Sequence, residues 1–288
     1  MPWVFLAPFC VLFLLLFVAP IGYAVYQSMI RVERTGPMGL GGAREVFGGL
    51  ENYSRALSDP GFVDSLGRVL LFAVVQVPLM IVLATVLALL LDSASARWPA
   101  MFRAVYFMPY GVPGVIATIL WGFLYVPGVS PILDALSGLG LEVDLLGPST
   151  VLWSIANIVT WAFAGYNMLV IIAQLKAIPG ELYEAATVDG AGPLRLVWHV
   201  KLPLVRPALV LTTVFTIIGT LQLFAEPLVL KPLSTAISFT YTPNLSAYNE
   251  AFNNNNYGLA AAESVLLALG AFVLSFGFLR LVGRSGRR

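Results

Sequence analysis

Six long apolar runs, separated by shorter polar segments, dominate the pattern of the chain. They lie near residues 3–29, 66–91, 104–127, 150–175, 207–230 and 258–282. Each run is longer than the roughly 20 residues that a helix needs to cross the hydrocarbon core of a bilayer. The pattern therefore predicts an all-α, polytopic membrane protein of about six transmembrane helices, which form a single transmembrane domain over residues 1–288.

The composition agrees with a lipid environment and disfavours several other classes of protein. Hydrophobic residues make up 59% of the chain and charged residues only 11%, whereas a soluble domain carries about 25% charged residues. A formal net charge of +1 argues against nucleic-acid binding, which needs a basic patch. Cys10 and His199 are the only cysteine and histidine, which disfavours a zinc site or a serine–histidine hydrolase. We expect no catalytic residue, no metal and no cofactor bound by this chain.

The distribution of Lys and Arg predicts which side of the membrane each loop faces. If the loops at 92–103 and 176–206 share a side with the C-terminal end, that side holds ten of the sixteen basic residues. These ten are Arg97, Arg103, Lys176, Arg195, Lys201, Arg206, Arg280, Arg284, Arg287 and Arg288. The loop at 128–149 has no Lys or Arg, as an external loop should. Four arginines in the loop at 30–65 disagree, but the majority predicts that both termini are cytoplasmic.

The loop at 176–206 has the features of an ordered segment rather than of a simple connector. Residues 181–188 are good helix formers, and Glu181 and Glu184 suit the positive end of a helix dipole. Gly190 suits the position after a helix that needs positive φ, and Pro193 suits the first position of a second short helix. We expect a helix, a sharp elbow and another helix at the membrane surface.

The same loop carries a motif of fixed letters and fixed spacing. Glu184-Ala185-Ala186 is followed after three residues by Gly190 and, after nine more, by Val200-x-Leu202-Pro203. This resembles the EAA loop of ABC-importer permeases, whose form is EAA-x3-G-x9-I-x-L-P, with valine in place of isoleucine. The motif lies between two predicted membrane helices, on the side that the basic residues mark as cytoplasmic, so the resemblance is specific.

The resemblance implies a coupling helix that docks into a cleft of a separate nucleotide-binding subunit. The two alanines would allow close approach, Glu184 would accept hydrogen bonds or pair with a basic partner, and Gly190 would make the elbow. The residues expected to couple to the ATPase are Glu181, Glu184, Ala185, Ala186, Asp189, Gly190, Leu202 and Pro203. An amphipathic helix that lies on the membrane without a partner is the alternative for this segment.

Other stretches extend the resemblance over most of the chain, to the carbohydrate importer family that includes maltose-type and glycerol-3-phosphate-type permeases. They are Gln76-Val77-Pro78, Phe102-Arg103, Tyr106-Phe107-Met108-Pro109, Ile178-Pro179-Gly180-Glu181-Leu182-Tyr183, Ala247-Tyr248 and Ala251-Phe252. The resemblance implies a type I ABC importer permease fold in a bacterial cytoplasmic membrane and a sugar or sugar derivative as substrate. The partners that it implies are a second homologous permease, two ATP-binding cassette subunits and an external solute-binding protein.

ATP hydrolysis is expected in another subunit. The chain contains no G-x-x-x-x-G-K-[ST] phosphate loop, and its three lysines, Lys176, Lys201 and Lys231, lack that glycine context. ATP and Mg would therefore be bound by the partner ATPase subunits, and this chain would convert their movement into transport.

Ionisable side chains inside the predicted spans indicate a candidate substrate pathway. Glu226 and Glu263 lie in the fifth and sixth spans, where a charged group normally faces a polar cavity or a partner. The full set of candidates is Trp161, Tyr166, Asn167, Gln222, Phe224, Glu226 and Glu263. Such residues would hydrogen-bond sugar hydroxyls and stack on sugar faces. The alternative is that the glutamates tie helices together and that the other candidates only pack between them.

The third span contains a combination of residues that interrupts a helix. Pro109 and Pro113, with Gly111 and Gly114, break backbone hydrogen bonds that protein or a cavity must then satisfy. An interruption of this kind marks a transport route in many transporters, and a structural kink is the alternative.

Two other functions remain open at this point. An ion-coupled secondary transporter would use Glu226 or Glu263 to carry protons, although no matched pair of broken helices in two halves of the sequence supports it. A membrane-embedded enzyme is disfavoured because no nucleophile with a base, metal cluster or paired catalytic carboxylates is evident.

Overall fold

The computed structural model describes residues 2–34, 43–93 and 95–285 of the chain. Its α-helices, in chain order, are α1 (Pro2–Phe13), α2 (Ala19–Ser28), α3 (Glu51–Ser58), α4 (Pro60–Asp92), α5 (Pro99–Phe107), α6 (Gly114–Tyr125), α7 (Pro131–Gly138), α8 (Val151–Lys176), α9 (Gly180–Val188), α10 (Pro193–Leu196), α11 (Leu202–Leu221), α12 (Ala225–Leu230), α13 (Pro243–Phe252) and α14 (Tyr257–Ser285). Two strands, β1 (Ile30–Arg34) and β2 (Ala43–Phe47), lie between α2 and α3. Contacts group the chain into two units, Met1–Val69 with Phe239–Phe272 and Leu70–Ser238 with Val273–Arg288.

The described residues confirm the predicted all-α membrane class. Five helices are long and apolar enough to cross a membrane, and a bent pair brings the number of candidate spans to six. These spans are Phe5–Ser28, Pro60–Asp92, Pro99–Gly111 with Gly114–Tyr125, Val151–Lys176, Pro193–Leu233 and Tyr257–Gly283. The first of them contains a π-helical turn at Leu14–Val18.

A small antiparallel hairpin in the first unit was not expected from an all-α prediction. Strands β1 and β2 pair from Ile30 opposite Phe47 to Arg34 opposite Ala43. The segment 30–34 alternates apolar and polar residues, and this period of two is typical of a strand. Asn52 of α3 is buried, and its Nδ2 donates to the carbonyls of Ser28 and Ile30 at 2.9 and 2.7 Å. The hairpin is thereby held against α3.

The third span is broken, as the two prolines predict. Helix α5 ends at Phe107, a 3-10 turn covers Met108–Gly111, and α6 begins at Gly114. The two helices are bent relative to each other by 96°. A proline has no N–H to donate and its ring clashes with the preceding turn, so two prolines four residues apart, each close to a glycine, favour a break at this segment.

The fifth span differs from the continuous helix expected near 207–230. The helical path already begins at α10 and reaches α11 through a π-helical turn at Val197–Lys201, so the expected second short helix continues into the span. At the other end, residues 222–224 are not helical and separate α11 from α12. Hydropathy detects only the apolar part of a helix, so the apolar run by itself showed neither the polar start nor the short break.

One buried cluster of the second unit lies where the C-terminal halves of α4 and α8 meet the start of α11. It is formed by Ala84, Ala88, Leu91, Met168, Ile171, Ile172, Leu175, Ile178 and Val205. Further along α8, a Cβ at Gly165 would lie 1.8 Å from the carbonyl oxygen of Tyr106. Only glycine permits such a close approach, and this contact holds α5 against α8 at the edge of the cavity described next.

Candidate functional site

A cavity of about 480 Å³ lies inside the second unit. It is lined by Phe72, Met80, Tyr110, Val159, Phe163, Tyr166, Asn167, Phe215, Thr216, Gly219, Thr220, Gln222, Leu223, Phe224, Ala225 and Glu226. The volume falls in the range of small-molecule sites, roughly 300 to 1,000 Å³. The lining combines aromatic rings with a few polar groups, the pattern typical of such sites.

The aromatic wall of the cavity is organised by the break in the third span. Tyr110, inside the 3-10 turn, stacks on Tyr166 of α8 with ring centroids 4.8 Å apart. It also meets the ring of Phe163 edge-on at 5.7 Å. Phe163 and Tyr166 are three residues apart on α8 and therefore lie on one face of that helix. The proline-induced turn thus places a tyrosine from one span against two rings of another.

The polar wall comes from the break in the fifth span and the turn before it. Gln222 and Phe224 lie in the non-helical segment, and Glu226 is in the first turn of α12. Thr216 and Thr220 are four residues apart on α11, so both face the cavity. The cavity therefore presents one carboxyl, amide groups and hydroxyls beside the aromatic wall.

A second cavity, of about 420 Å³, adjoins the break in the third span. Its lining includes Gly111–Gly114 and shares Tyr110, Phe163 and Glu226 with the first cavity. Non-helical backbone at membrane depth is tolerated where it is buried in protein or lines a water-filled cavity. Both broken segments meet this condition beside Glu226. Only the first of the two breaks was predicted from the sequence.

The structure brings five of the seven predicted pathway residues to one cavity. Tyr166, Asn167, Gln222, Phe224 and Glu226 all line it. The amide Nδ2 of Asn167 donates to the carbonyl oxygen of Phe163 at 3.2 Å. The Oδ1 of Asn167 is the acceptor atom of the same amide.

The other two predicted residues lie elsewhere. Trp161 is not among the lining residues; its ring meets Trp121 edge-on at 5.9 Å. Glu263 belongs to the first unit, where it is 1% exposed and hydrogen-bonded to Ser246. In this structure, Glu263 therefore joins α14 to α13, as in the alternative of a helix tie.

Several lining residues were missed from the sequence. Tyr110 lies between the two prolines that were noticed, and Phe163 lies three residues before the predicted Tyr166. Both could have been found by extending each prediction by one turn. Phe215 and Thr216 gave no signal of their own, because they sit in an apolar run of the ordinary helical kind.

The loop at 176–206 folds as the predicted helix and elbow. Helix α9 covers Gly180–Val188, and Gly190 has φ +76°. The Gly190 N–H donates to Thr187 O at 3.0 Å, and the Ala191 N–H donates to Ala186 O at 2.9 Å. These two bonds form the Schellman arrangement that ends a helix when the following residue takes positive φ.

Most of the predicted coupling residues point away from the second unit. Exposed positions in this set are Glu181, Glu184, Ala185, Asp189, Gly190 and Pro203, while Ala186 and Leu202 are half-buried. Apolar side chains are exposed beside them, with Val188 87% exposed. Tyr183, by contrast, packs against the core of the unit. Burial raises the pKa of the Tyr183 hydroxyl, and the negative charge of Asp92 raises it further.

Comparison with known proteins gives a family match over nearly the whole chain. The family described as "Binding-protein-dependent transport system inner membrane component" matches residues 1–286. Among curated relatives, the sn-glycerol-3-phosphate transport system permease protein UgpA of Agrobacterium fabrum is 31% identical over 286 residues, which cover 96% of this chain and 94% of the relative. The lactose transport system permease protein LacF of Rhizobium radiobacter is 31% identical over 281 residues, covering 95% and 91%.

A solved structure shares the fold. It is described as the crystal structure of a bacterial ABC transporter involved in the import of the acidic polysaccharide alginate. The match has a TM-score of 0.82 at 20% sequence identity and covers 98% of this chain and 94% of the other. The two chains therefore share one fold over nearly their whole length.

Proposed function

Because the chain belongs to the family of binding-protein-dependent transport system inner membrane components, we propose that it is the permease subunit of an ATP-driven importer for a sugar or sugar derivative. An external solute-binding protein delivers the substrate, and separate ATPase subunits supply the energy. The substrate class is supported by relatives whose names specify sn-glycerol-3-phosphate and lactose transport.

The exposed face of α9 is the observation that supports coupling of this chain to an ATPase subunit. This helix lies between two candidate spans, Val151–Lys176 and Pro193–Leu233, and presents Glu181, Glu184 and Val188 to the outside of the unit. Small alanines, exposed carboxylates and an exposed apolar side chain together suit docking into a protein cleft rather than contact with water alone. The coupling residues predicted from the EAA motif are proposed to form this contact.

The larger cavity is the proposed substrate pathway. Tyr166 and Phe224 offer rings that can stack on the apolar faces of a sugar, while Asn167, Gln222 and Glu226 can hydrogen-bond its hydroxyls. Polar groups are costly in contact with lipid, so the polar lining fits a hydroxyl-rich substrate better than it fits lipid. Trp161 and Glu263 are not assigned to this pathway.

The proposed assembly contains this chain, a second homologous permease, two ATP-binding cassette subunits and the solute-binding protein. ATP and Mg bind to the cassette subunits, since this chain has no phosphate loop. Both termini and the loop at 176–206 are proposed to face the cytoplasm of a bacterial cell, and the loop at 128–149 faces the binding protein.

A secondary transporter with Glu226 as proton carrier is the second candidate, and the pair of broken helices beside Glu226 is the observation in its favour. Broken helices also occur at the transport sites of such proteins. The family match argues for the importer, because that family is named for its dependence on a binding protein.

The first test is purification of the tagged chain from its native membrane in a mild detergent, followed by mass spectrometry of the proteins that accompany it. Recovery of a second permease, an ATPase with a phosphate loop and a solute-binding protein is expected, and ligand screening of the binding protein then identifies the sugar. A chain that purifies alone in every mild detergent contradicts the proposal.

A transport assay separates the two candidates directly. With the proton gradient clamped, depletion of ATP should stop uptake by an importer. Uptake that persists without ATP and stops when the gradient is collapsed would support the proton-coupled carrier instead.

A further inference from the structure

A buried carboxylate at the end of α4 is held by two lysines. The Asp92 side chain is 7% exposed, and its Oδ2 accepts from Lys201 Nζ at 2.7 Å. Its Oδ1 lies 3.0 Å from Lys176 Nζ. The Lys201 side chain is 12% exposed and that of Lys176 is 59% exposed. The pair Asp92–Lys201 is therefore shielded from water, while Lys176 closes the cluster from the solvent side.

The three charged residues belong to three different segments of the second unit. Asp92 is the last residue of α4, Lys176 is the last residue of α8, and Lys201 ends the π-helical turn that leads into α11. The last two of these segments flank α9 in the chain. The carboxylate of Asp92 thus links the segments on both sides of α9 to the end of α4.

Helix α9 is linked to the same cluster through Tyr183. The Nζ of Lys201 lies 5.5 Å from the centroid of the Tyr183 ring, a distance at which a cation is attracted to the ring face. Tyr183 also packs against the core that contains Leu91 and Ile178. The Tyr183 side chain is half-buried, whereas those of the neighbouring Glu181 and Glu184 are exposed. Lys201 therefore touches the carboxylate of α4 and the inner face of α9 at once.

The turn that carries Lys201 also contacts α9 directly. It is π-helical over Val197–Lys201, and single π-helical turns inside α-helices occur frequently at functional sites. An extra residue in a helical turn rotates the following residues about the axis. The orientation of Lys201 relative to α11 is thus set by a local distortion in the segment that contacts α9.

We infer that Asp92 is a positioning residue for energy coupling: through Lys201 it transmits the movement of α9 to α4, and through Lys176 to the end of α8. The inference rests on the proposed function, since it assumes that an ATPase moves α9. Removal of the Asp92 carboxylate leaves Lys176 and Lys201 without a counter-charge. Lys201 is then no longer held in place over the ring of Tyr183. The permease then keeps its spans, but α9 can move without moving α4.

The test compares variants of the assembled importer in proteoliposomes with its binding protein and substrate. ATP hydrolysis and substrate uptake are measured together, and the readout is substrate transported per ATP hydrolysed. For Asp92→Asn we expect this ratio to fall by about tenfold, because removing one partner of a buried pair leaves an uncompensated charge. We also expect ATP hydrolysis by this variant to become independent of the binding protein.

The lysine variants give an order of effects that follows from burial. Lys201→Met should lower the ratio about as strongly as Asp92→Asn, whereas Lys176→Met should change it by less than about twofold, because exposed ion pairs are weak. Arg280→Met, which removes an exposed charge from α14, is the control for loss of charge alone.

The exchange variant D92K/K201D separates coupling from folding. It retains an opposite-charge pair at the same place, so it should recover at least part of the ratio lost in Asp92→Asn. An unchanged ratio in Asp92→Asn or in Lys201→Met, at normal levels of assembled importer, overturns the inference. If Asp92→Asn does not assemble, Lys201→Met decides by the same criterion, and an assembled exchange variant whose ratio is no higher than that of Lys201→Met also overturns the inference. A wild-type chain that shows no ATP-dependent uptake would instead overturn the proposed function.

Discussion

Individual side chains at membrane depth carry most of the specific chemistry of this protein. Glu226 is the carboxylic acid among the described lining of both cavities, and each cavity is also lined by one of the two non-helical segments. An ionisable residue inside a membrane is costly unless it meets a partner or a cavity. Its place at the junction of two broken spans makes Glu226 the residue at which a change should affect passage more than folding.

Glu226→Gln should reduce substrate uptake by roughly tenfold or more, since hydrogen bonds to charged groups contribute about 1.5–3 kcal/mol. The amide has nearly the shape of the carboxyl, so the amount of protein in the membrane and its melting temperature in detergent should stay close to wild type. Uptake of radiolabelled substrate and thermal unfolding of the same preparation measure the two effects.

Glu142→Gln is a matched control, because Glu142 lies exposed between α7 and α8. It makes the same chemical change outside the cavities and should leave uptake unchanged. Wild-type uptake by Glu226→Gln would assign the carboxyl to packing between helices.

At the residue scale, the sequence identified many of the residues that line the cavity, but it could not show which of the candidates lie there. Tyr166, Asn167, Gln222, Phe224 and Glu226 were chosen as polar or aromatic residues in apolar runs, and the structure places all five together. Trp161 and Glu263 met the same criterion and lie elsewhere. The side-chain type is visible in the sequence, whereas the face of a helix that meets the cavity depends on how neighbouring helices pack.

At the scale of the elements, the ends and interruptions of helices determine where the chain changes direction. The break at Pro109 and Pro113 was predictable, because proline acts on its own helix. The break at 222–224 contains no proline or glycine, but Pro227 lies in the first turn of α12, where a proline is tolerated and the preceding helix cannot easily continue; this signal was missed. The elbow after α9 was predictable because positive φ favours glycine, and Gly190 takes this conformation.

Gly190→Pro should disrupt the elbow while leaving membrane insertion intact. Proline fixes φ near −65°, far from the +76° of Gly190, and it removes the N–H that donates to Thr187. We expect stimulation of ATP hydrolysis by the binding protein to disappear, with normal amounts of the chain in the membrane. ATPase assays of the assembled importer, with and without binding protein, measure this.

Gly192→Pro is the companion substitution. Gly192 has φ −71°, which proline can adopt, and a side chain at this position meets nothing within 4 Å. It should retain most of the stimulation. Equal behaviour of the two variants would show that the conformation of the elbow does not matter for coupling.

At the scale of the whole molecule, the alternation of spans and charged loops sets the topology. If each of the six candidate spans among the described residues crosses the membrane once, both ends of the chain lie on the same side. The distribution of Lys and Arg then predicts that this side is the cytoplasm.

Thiol labelling tests this orientation. In a Cys10→Ser background, which has no other cysteine, Ser95→Cys and Ser137→Cys each add one thiol at an exposed position. A membrane-impermeant maleimide should label the cysteine at 137 in right-side-out vesicles and the cysteine at 95 in inside-out vesicles. Labelling of both after solubilisation is the control, and the reverse pattern would invert the predicted topology.

The sequence alone determined the all-α membrane class, the approximate spans, the broken third span and the helix with its elbow at 180–190. Each of these follows from a free energy that acts locally: transfer of about 20 residues into lipid, the missing N–H of proline, or the φ preference of glycine. The motif at Glu184, Gly190 and Pro203 is also local, and it predicted the family to which the chain belongs.

Only the tertiary structure decided what meets across the helices. Asp92 and Lys201 are 109 residues apart in the chain and 2.7 Å apart in space, and Tyr110 reaches Tyr166 across two different spans. Such contacts depend on the rotation and tilt of each helix, which packing against its neighbours sets and no local preference encodes. The cavity beside the two broken spans and the carboxylate that links α9 to α4 are for this reason properties of the folded chain.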